Sequence, residues 1–181
     1  MPPAPHYVLA GDRVGLTPMR EELADRYAAW WSDPEVKRGI ANLGLHTPHT
    51  QTAWLAAVVP GMARPRPESA HFTVHDLADG APVGLLALFD VDWANRRCEL
   101  WILLGERRGT GLGTDAVRLG LAWAFEVLGL HNVLLTVAAP NAGAIRAYEK
   151  AGFRHVGVRR QAFWLAGAPV DVVLMDAVRT G

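Results

Sequence analysis

ERRGTGLGTDAV, residues 106–117, sets three glycines within five positions, between an apolar run and a helical pattern. Glycine costs entropy on folding, so a cluster at such a junction needs a reason. The first turn of a helix leaves several backbone N–H groups without partners, and the helix dipole adds partial positive charge there. Both features favour a phosphate, and residues lacking Cβ let the main chain approach it closely. Gly109, Gly111 and Gly113 are placed for this, and Arg107 and Arg108 add charge. A tight turn with close helix–strand packing accounts for the same glycines without any ligand.

Three phosphate motifs compete for the stretch. A P-loop needs a lysine before Ser or Thr, and there is none. Gly111-x-Gly113-x-x-Ala116 matches the dinucleotide fingerprint in form, but that fingerprint calls for an acid about 20 residues later. The corresponding region is NVLLTVA, which has no acid. The third candidate is Arg108-x-x-Gly111-x-Gly113.

The flanking chain gives these residues their setting. Upstream, VGLTPM reads as a first strand and REELADRYAAWW as a helix with Leu23, Tyr27 and Trp30 on one face. Ser32 and Glu35 have capping-box spacing around Pro34, and TPHTQTAWLAAVV is a second helix. AHFTVHDL, PVGLLALFDVD and RRCELWILL read as three strands, with ADGA as a hairpin turn. Downstream, a helix is predicted from about Leu112 to Leu128. NVLLTVA follows as a strand expected to be buried on both faces. NAGAIRAYEKAG is a short helix closed by Gly152, and two long antiparallel strands finish the chain. Without a repeat or linker, residues 1–181 are expected to form a single α+β domain.

Composition narrows the function. Half of the 181 residues are apolar, which argues against disorder. Eighteen basic residues balance eighteen acidic ones, against a general nucleic-acid binder. Cys98 is the one cysteine, so no internal disulfide forms; within CELWILL it reads as a small buried strand residue. Neither a membrane span nor a signal peptide is legible, so a cytoplasmic protein without membrane partners is expected. His71 and His75 share a strand face that is expected to be solvated. His46 and His49 lie in a loop without the acids or cysteines of a metal site, so no metal is expected.

Asn141–Phe153, NAGAIRAYEKAGF, together with the glycine loop and CELWILL, resembles the signatures of the GNAT superfamily of N-acetyltransferases. WWSDPEV near the start, and the closing GVRRQAFWLAGAPVDVVLMD, are similar to the branch with ribosomal-protein N-terminal and spermidine acetyltransferases. The resemblance implies the acyl-CoA N-acyltransferase fold, in which helices flank a mixed sheet that splays open between two parallel strands. It implies acetyl-coenzyme A as co-substrate in that gap. Leu103 and Leu104 would offer backbone groups to the pantetheine arm. The segment Arg107, Arg108, Gly109, Thr110, Gly111, Leu112, Gly113 and Thr114 would hold the pyrophosphate, and Asn141 the pantetheine or a water.

The implied chemistry is attack of a neutral amine on a thioester, which needs oxyanion stabilisation and a proton for the leaving thiolate. Tyr148, two turns along the helix from Asn141, is the candidate acid; a buried tyrosine anchoring the helix is the other reading. Glu99 is the candidate base, sharing a strand face with Trp101 and Leu103; an ion pair with Arg96, Arg97 or an arginine elsewhere is the other reading. Trp30, Trp31, Trp93, Trp101 and Trp164 fall near segments lining the acceptor site in similar proteins, which suggests aromatic walls for a bulky amine. Trp54 and Trp123 are expected in the core. The acceptor would be a small-molecule primary amine or a protein N-terminus, and a non-catalytic acyl-CoA-binding module is the reading from another class. The state would be monomer or homodimer.

Overall fold

A computed structural model describes residues 6–37, 39 and 44–180. One eight-stranded sheet runs through it in the order β1-β2-β3-β4-β5-β6-β8-β7. The strands are β1 (Leu9–Ala10), β2 (Val14–Pro18), β3 (Ala70–Asp76), β4 (Pro82–Asp92), β5 (Arg97–Leu104), β6 (Asn132–Ala138), β7 (Arg154–Leu165) and β8 (Ala168–Val178). Strands β1 to β5 form an antiparallel meander, and β8 sits antiparallel between β6 and β7. The exception is β5 against β6, which is parallel and paired at three positions: Arg97–Asn132, Cys98–Val133 and Glu99–Leu134. Beyond them the two strands part.

Helices α1 (Ala24–Ser32), α2 (Pro34–Lys37) and α3 (Pro48–Met62) precede the meander; α4 (Leu112–Ala122) and α5 (Ala142–Ala151) flank β6 in sequence. A 3-10 turn at Glu21–Leu23 leads into α1, and a π-helical turn at Trp123–Val127 extends α4. Thr47 caps α3 through a reciprocal capping box with Thr50, and Pro48 occupies the first turn, where its missing N–H costs nothing. The turn into α2 differs from the sequence expectation. Asp33 supplies the cap, its Oδ1 accepting from the Glu35 N–H at 2.8 Å, while the Ser32 hydroxyl donates to the His46 carbonyl.

Strand alternation divides the core in two. Leu16, Phe72, Val74, Leu86, Leu100 and Val133 pack with α4 and α5 on one face. Tyr27, Trp30, Leu55, Leu85 and Leu103 pack on the other, under α1 and α3. Strand β6 is not buried on both faces as expected. Thr136 is exposed, because this part of β6 borders the gap where β5 has turned away.

Two buried aromatic contacts fix the second face. Tyr27 Oη lies 2.5 Å from Thr73 Oγ1 and accepts from the Arg20 N–H. The Trp30 ring lies so close over Gly105 that an added Cβ would sit 2.1 Å from Trp30 Cδ1. Trp30 Nε1 donates to Glu106, so α1 is pinned where β5 hands over to the glycine loop. His71 and His75 are buried, contrary to expectation: Trp54 covers His71, and Thr17, the Gly80 carbonyl and the Tyr7 ring enclose His75.

Candidate active site

Where β5 and β6 part, a cleft of about 610 Å³ opens between them. Its walls include Leu100–Leu104 of β5, Thr136–Ala138 of β6, the glycine loop, and Asn141 and Tyr148 of α5. Two groups of polar backbone face it. The first follows from alternation along β5. The Arg96 carbonyl accepts from His131 and Asn132 beside β6, whereas Gly105 N–H donates to Val83 beside β4. Even-numbered residues of β5 therefore turn their peptide groups toward β6, and odd-numbered ones toward β4. Ile102 and Leu104 face the gap. Leu103 lines the cleft, but its backbone is directed at β4, which corrects the expectation that it would serve a ligand. The Leu104 carbonyl already accepts from Arg108 Nε at 2.8 Å.

The second group is the start of α4. Gly111 is its N-cap at φ +90°, a left-handed conformation that side chains with Cβ resist. Gly109, Gly111, Gly113 and Thr114 all lie on the cleft wall. Arg107, Thr110 and Leu112 do not. Leu112 is buried in the core, and Thr110 turns back, its hydroxyl donating to the Arg107 carbonyl at 2.6 Å.

The expected extra charge from the two loop arginines is already spent. Arg107 pairs with Asp76 and Asp79, and Arg108 with Asp33 and Glu35. The Arg107 and Arg108 hydrogen bonds hold the Asp79 and Asp33 carboxyls below their usual range. The Asp76 carboxyl is lowered first by the Ala78 N–H and then by Arg107. Unclaimed cations stand instead on α5: Arg146 and Lys150, four residues apart on one face, line the cleft without ion-pair partners among the described residues. That i, i+4 spacing was legible in the sequence and was missed.

Asn141 caps α5, its Oδ1 accepting from the Ala144 N–H at 3.1 Å, which leaves its amide N–H groups for a ligand. Tyr148 is 8% exposed, and its hydroxyl has no hydrogen-bond partner among the described residues. Burial pushes its phenol up to about 12, so it stays protonated across the physiological range. Glu99 sits at the last paired rung of β5 and β6, half-buried, and makes no ion pair among the described residues. Arg97 is bonded to Asp92, and Arg96 to the Gly129 carbonyl. The alternative reading of Glu99 as an ion-pair partner of these arginines therefore fails. Next to it, Cys98 is sealed in the core. Burial, and secondarily the Glu99 charge, push its thiol up to about 12, which leaves it inert as a nucleophile.

Behind β5 lies a second cavity of about 400 Å³. Trp101 belongs to the walls of both. Trp31 packs edge-on against Trp101 with ring centroids 5.4 Å apart, and His46 stacks on Trp31 at 5.1 Å. Trp54, read from the sequence as core, is a wall here, as is His71. Two of the five tryptophans expected at an acceptor site are thus brought together, Trp31 and Trp101. Trp30, Trp93 and Trp164 are not; Trp93 packs against the main core with Nε1 donating to the Pro67 carbonyl. Trp30 is committed to Gly105 and Glu106, and Trp164 stands 68% exposed on β7. Register decides this, because β7 pairs only with β8 and lies at the far edge of the sheet.

No group of three or more His, Cys, Asp or Glu residues able to hold a metal occurs among the described residues. No helix there is long and apolar enough to cross a membrane.

Comparison with known proteins bears on the same segments. A family model described as an acetyltransferase (GNAT) domain matches residues 13–154. Spermidine N(1)-acetyltransferase of Escherichia coli K12 is 36% identical over 98 residues, 54% of this chain and 53% of that protein. The chain thus matches about half the length of this curated relative. A Bacillus subtilis protein named as a putative ribosomal N-acetyltransferase, YdaF, is 28% identical over 73% of each chain. Among solved structures, spermidine N-acetyltransferase from Vibrio cholerae, in complex with CoA and spermine, superposes with a TM-score of 0.82. It does so at 20% identity, covering 91% of this chain and 95% of that one, a likeness of fold.

Proposed function

The chain belongs to the GNAT acetyltransferase family, and on that premise we propose that it is an acetyl-coenzyme A-dependent N-acetyltransferase acting on a small-molecule primary amine. The observation that carries the reading is the parting of β5 from β6 after three rungs, which opens a cleft against the glycine-bearing start of α4. Pyrophosphate fits the unpaired N–H groups from Gly109 to Thr114. Arg146 and Lys150 supply the cationic wall. The pantetheine arm runs along Ile102 and Leu104, with the Asn141 amide as a further donor.

The thioester carbonyl then meets backbone N–H groups of β5, which stabilise the oxyanion formed when the amine attacks. The C–N bond forms, the C–S bond breaks, and Tyr148 protonates the departing thiolate. Its phenol, pushed up to about 12 by burial, is protonated at neutral pH and so has a proton to give. Glu99, on the face of β5 shared with Trp101, receives the proton lost by the attacking nitrogen through a water relay.

The relatives' printed names point to spermidine and to ribosomal protein as acceptors. The second cavity favours neither polycation nor peptide backbone. No carboxylate lines it among the described residues, and its walls are largely aromatic. Release of free thiol from acetyl-coenzyme A across alkylamines, arylalkylamines, spermidine and an alanine-initiated peptide tests the proposal. Turnover highest on a small amine is expected. Stoichiometric coenzyme A binding without turnover of any amine would reject catalysis and leave a binding module.

A further inference from the structure

The aromatic cavity behind β5 has a polar feature that packing alone does not call for. His71 is 8% exposed, lies on the cavity wall and makes no hydrogen bond among the described residues. Its Nδ1 is sealed from solvent without a partner. A buried polar atom left unpaired is costly, so a position filled this way needs a compensating role. The ring is held edge-on to Trp54, with centroids 5.0 Å apart, on the middle of β3. Across the sheet it shares a row with Ala87 and Trp101, and Trp101 is a wall of the same cavity.

Burial pushes His71 down to about 4, so it is neutral at working pH. A neutral imidazole carries one proton. An orphaned N–H is the rarer and costlier state, which puts the proton on Nε2 rather than on the sealed Nδ1. Nε2 is then a hydrogen-bond donor left for a ligand. Of the cavity's other polar side chains, Gln51 Nε2 lies 3.0 Å from His46 Nδ1, and the Thr50 hydroxyl donates to the Thr47 carbonyl. Among the described residues no Asp, Glu, Lys or Arg lines the space, so neither a second ammonium nor a carboxylate finds a counter-charge.

We propose that this cavity is the side-group subsite of the acceptor, taking an uncharged aromatic ring that carries a hydrogen-bond acceptor such as an ether or carbonyl oxygen. Trp31, Trp54 and Trp101 enclose the ring, and His71 Nε2 donates to the oxygen. The amine end of such a molecule passes Trp101, the residue common to both cavities, to reach the thioester. The inference rests on the acetyltransferase reading and assigns His71 as its specificity-determining residue.

The test compares para-methoxyphenethylamine with phenethylamine by thiol release, alongside spermidine and an alanine-initiated peptide. Coenzyme A binding is measured by calorimetry. In the wild type, the methoxy compound should have a kcat/KM about fivefold to tenfold above phenethylamine, the worth of one neutral hydrogen bond, carried in KM. His71→Phe should bring that ratio to about one. His71→Gln, which retains a donor, should restore part of it. A ratio that His71→Phe leaves intact, or a wild type that prefers spermidine or the peptide, overturns the subsite while leaving the acetyltransferase standing. Coenzyme A binding without turnover of any of the four amines overturns both. His71→Phe protein that no longer binds coenzyme A is misfolded; His71→Leu, smaller and equally without a donor, then takes its place, and a wild-type ratio in that variant overturns the assignment.

Discussion

Replacing Tyr148 by Phe separates a proton donor from a structural anchor, because the two roles predict opposite outcomes. The ring stays in place, packed against Phe153 with centroids 6.0 Å apart, so the helix anchor survives. What is lost is a hydroxyl on the cleft wall that has no hydrogen-bond partner among the described residues. Removing it breaks no hydrogen bond within the protein, so folding stability at neutral pH should change by less than about 1 kcal/mol. Loss of a general acid should lower kcat by about 10²-fold or more, with donor affinity unchanged. Alkaline stability gives an independent check. The phenol is raised from an ordinary 10.0 to about 12 in the folded protein. Its contribution is therefore fully present below pH 10. It is lost as pH rises toward 12, because the unfolded chain releases its proton first. Linkage over that interval predicts that wild type loses about 1 kcal/mol more than Tyr148→Phe between pH 10 and pH 11. Denaturant melts at the two pH values, paired with thiol-release kinetics and calorimetric titration of coenzyme A, measure all three quantities. A kcat within threefold of wild type would refute the acid, and identical alkaline slopes would refute the buried, protonated phenol.

Two further substitutions probe the frame around that site. Gly105→Ala drives a methyl group to 2.1 Å from the Trp30 ring; it should cost about 1–3 kcal/mol of stability by chemical denaturation and weaken coenzyme A binding, because α1 and the glycine loop shift apart. Unchanged melting would mean the ring moves freely. Glu99→Gln keeps size and removes the charge; if Glu99 takes the amine's proton, kcat/KM falls by about 10²-fold while the coenzyme A dissociation constant stays put. Wild-type kinetics would assign the carboxylate to the sheet alone.

The sequence determined this protein's ladder of elements and its glycine-bearing corner at the start of α4, since both depend on residues close together in the chain. The glycines from 109 to 113, the stop at Gly152 and the strand–turn–strand spacing between Ala70 and Leu104 are local signals, and each stands where the spacing put it. What lay beyond local reach was pairing between distant segments. Arg107 and Arg108 read as free cations until folding brought Asp76, Asp79, Asp33 and Glu35 beside them. Trp30 and Trp31 are adjacent in sequence, yet one is spent pinning Gly105 and the other walls a cavity, because neighbouring helix positions point about 100° apart. Burial of His71 depended on α3 crossing β3, and the cleft on the angle at which β5 leaves β6. A hydrophobic pattern reports which side chains avoid water, but the partner each one meets is set by strand register and helix placement, which are properties of the whole fold.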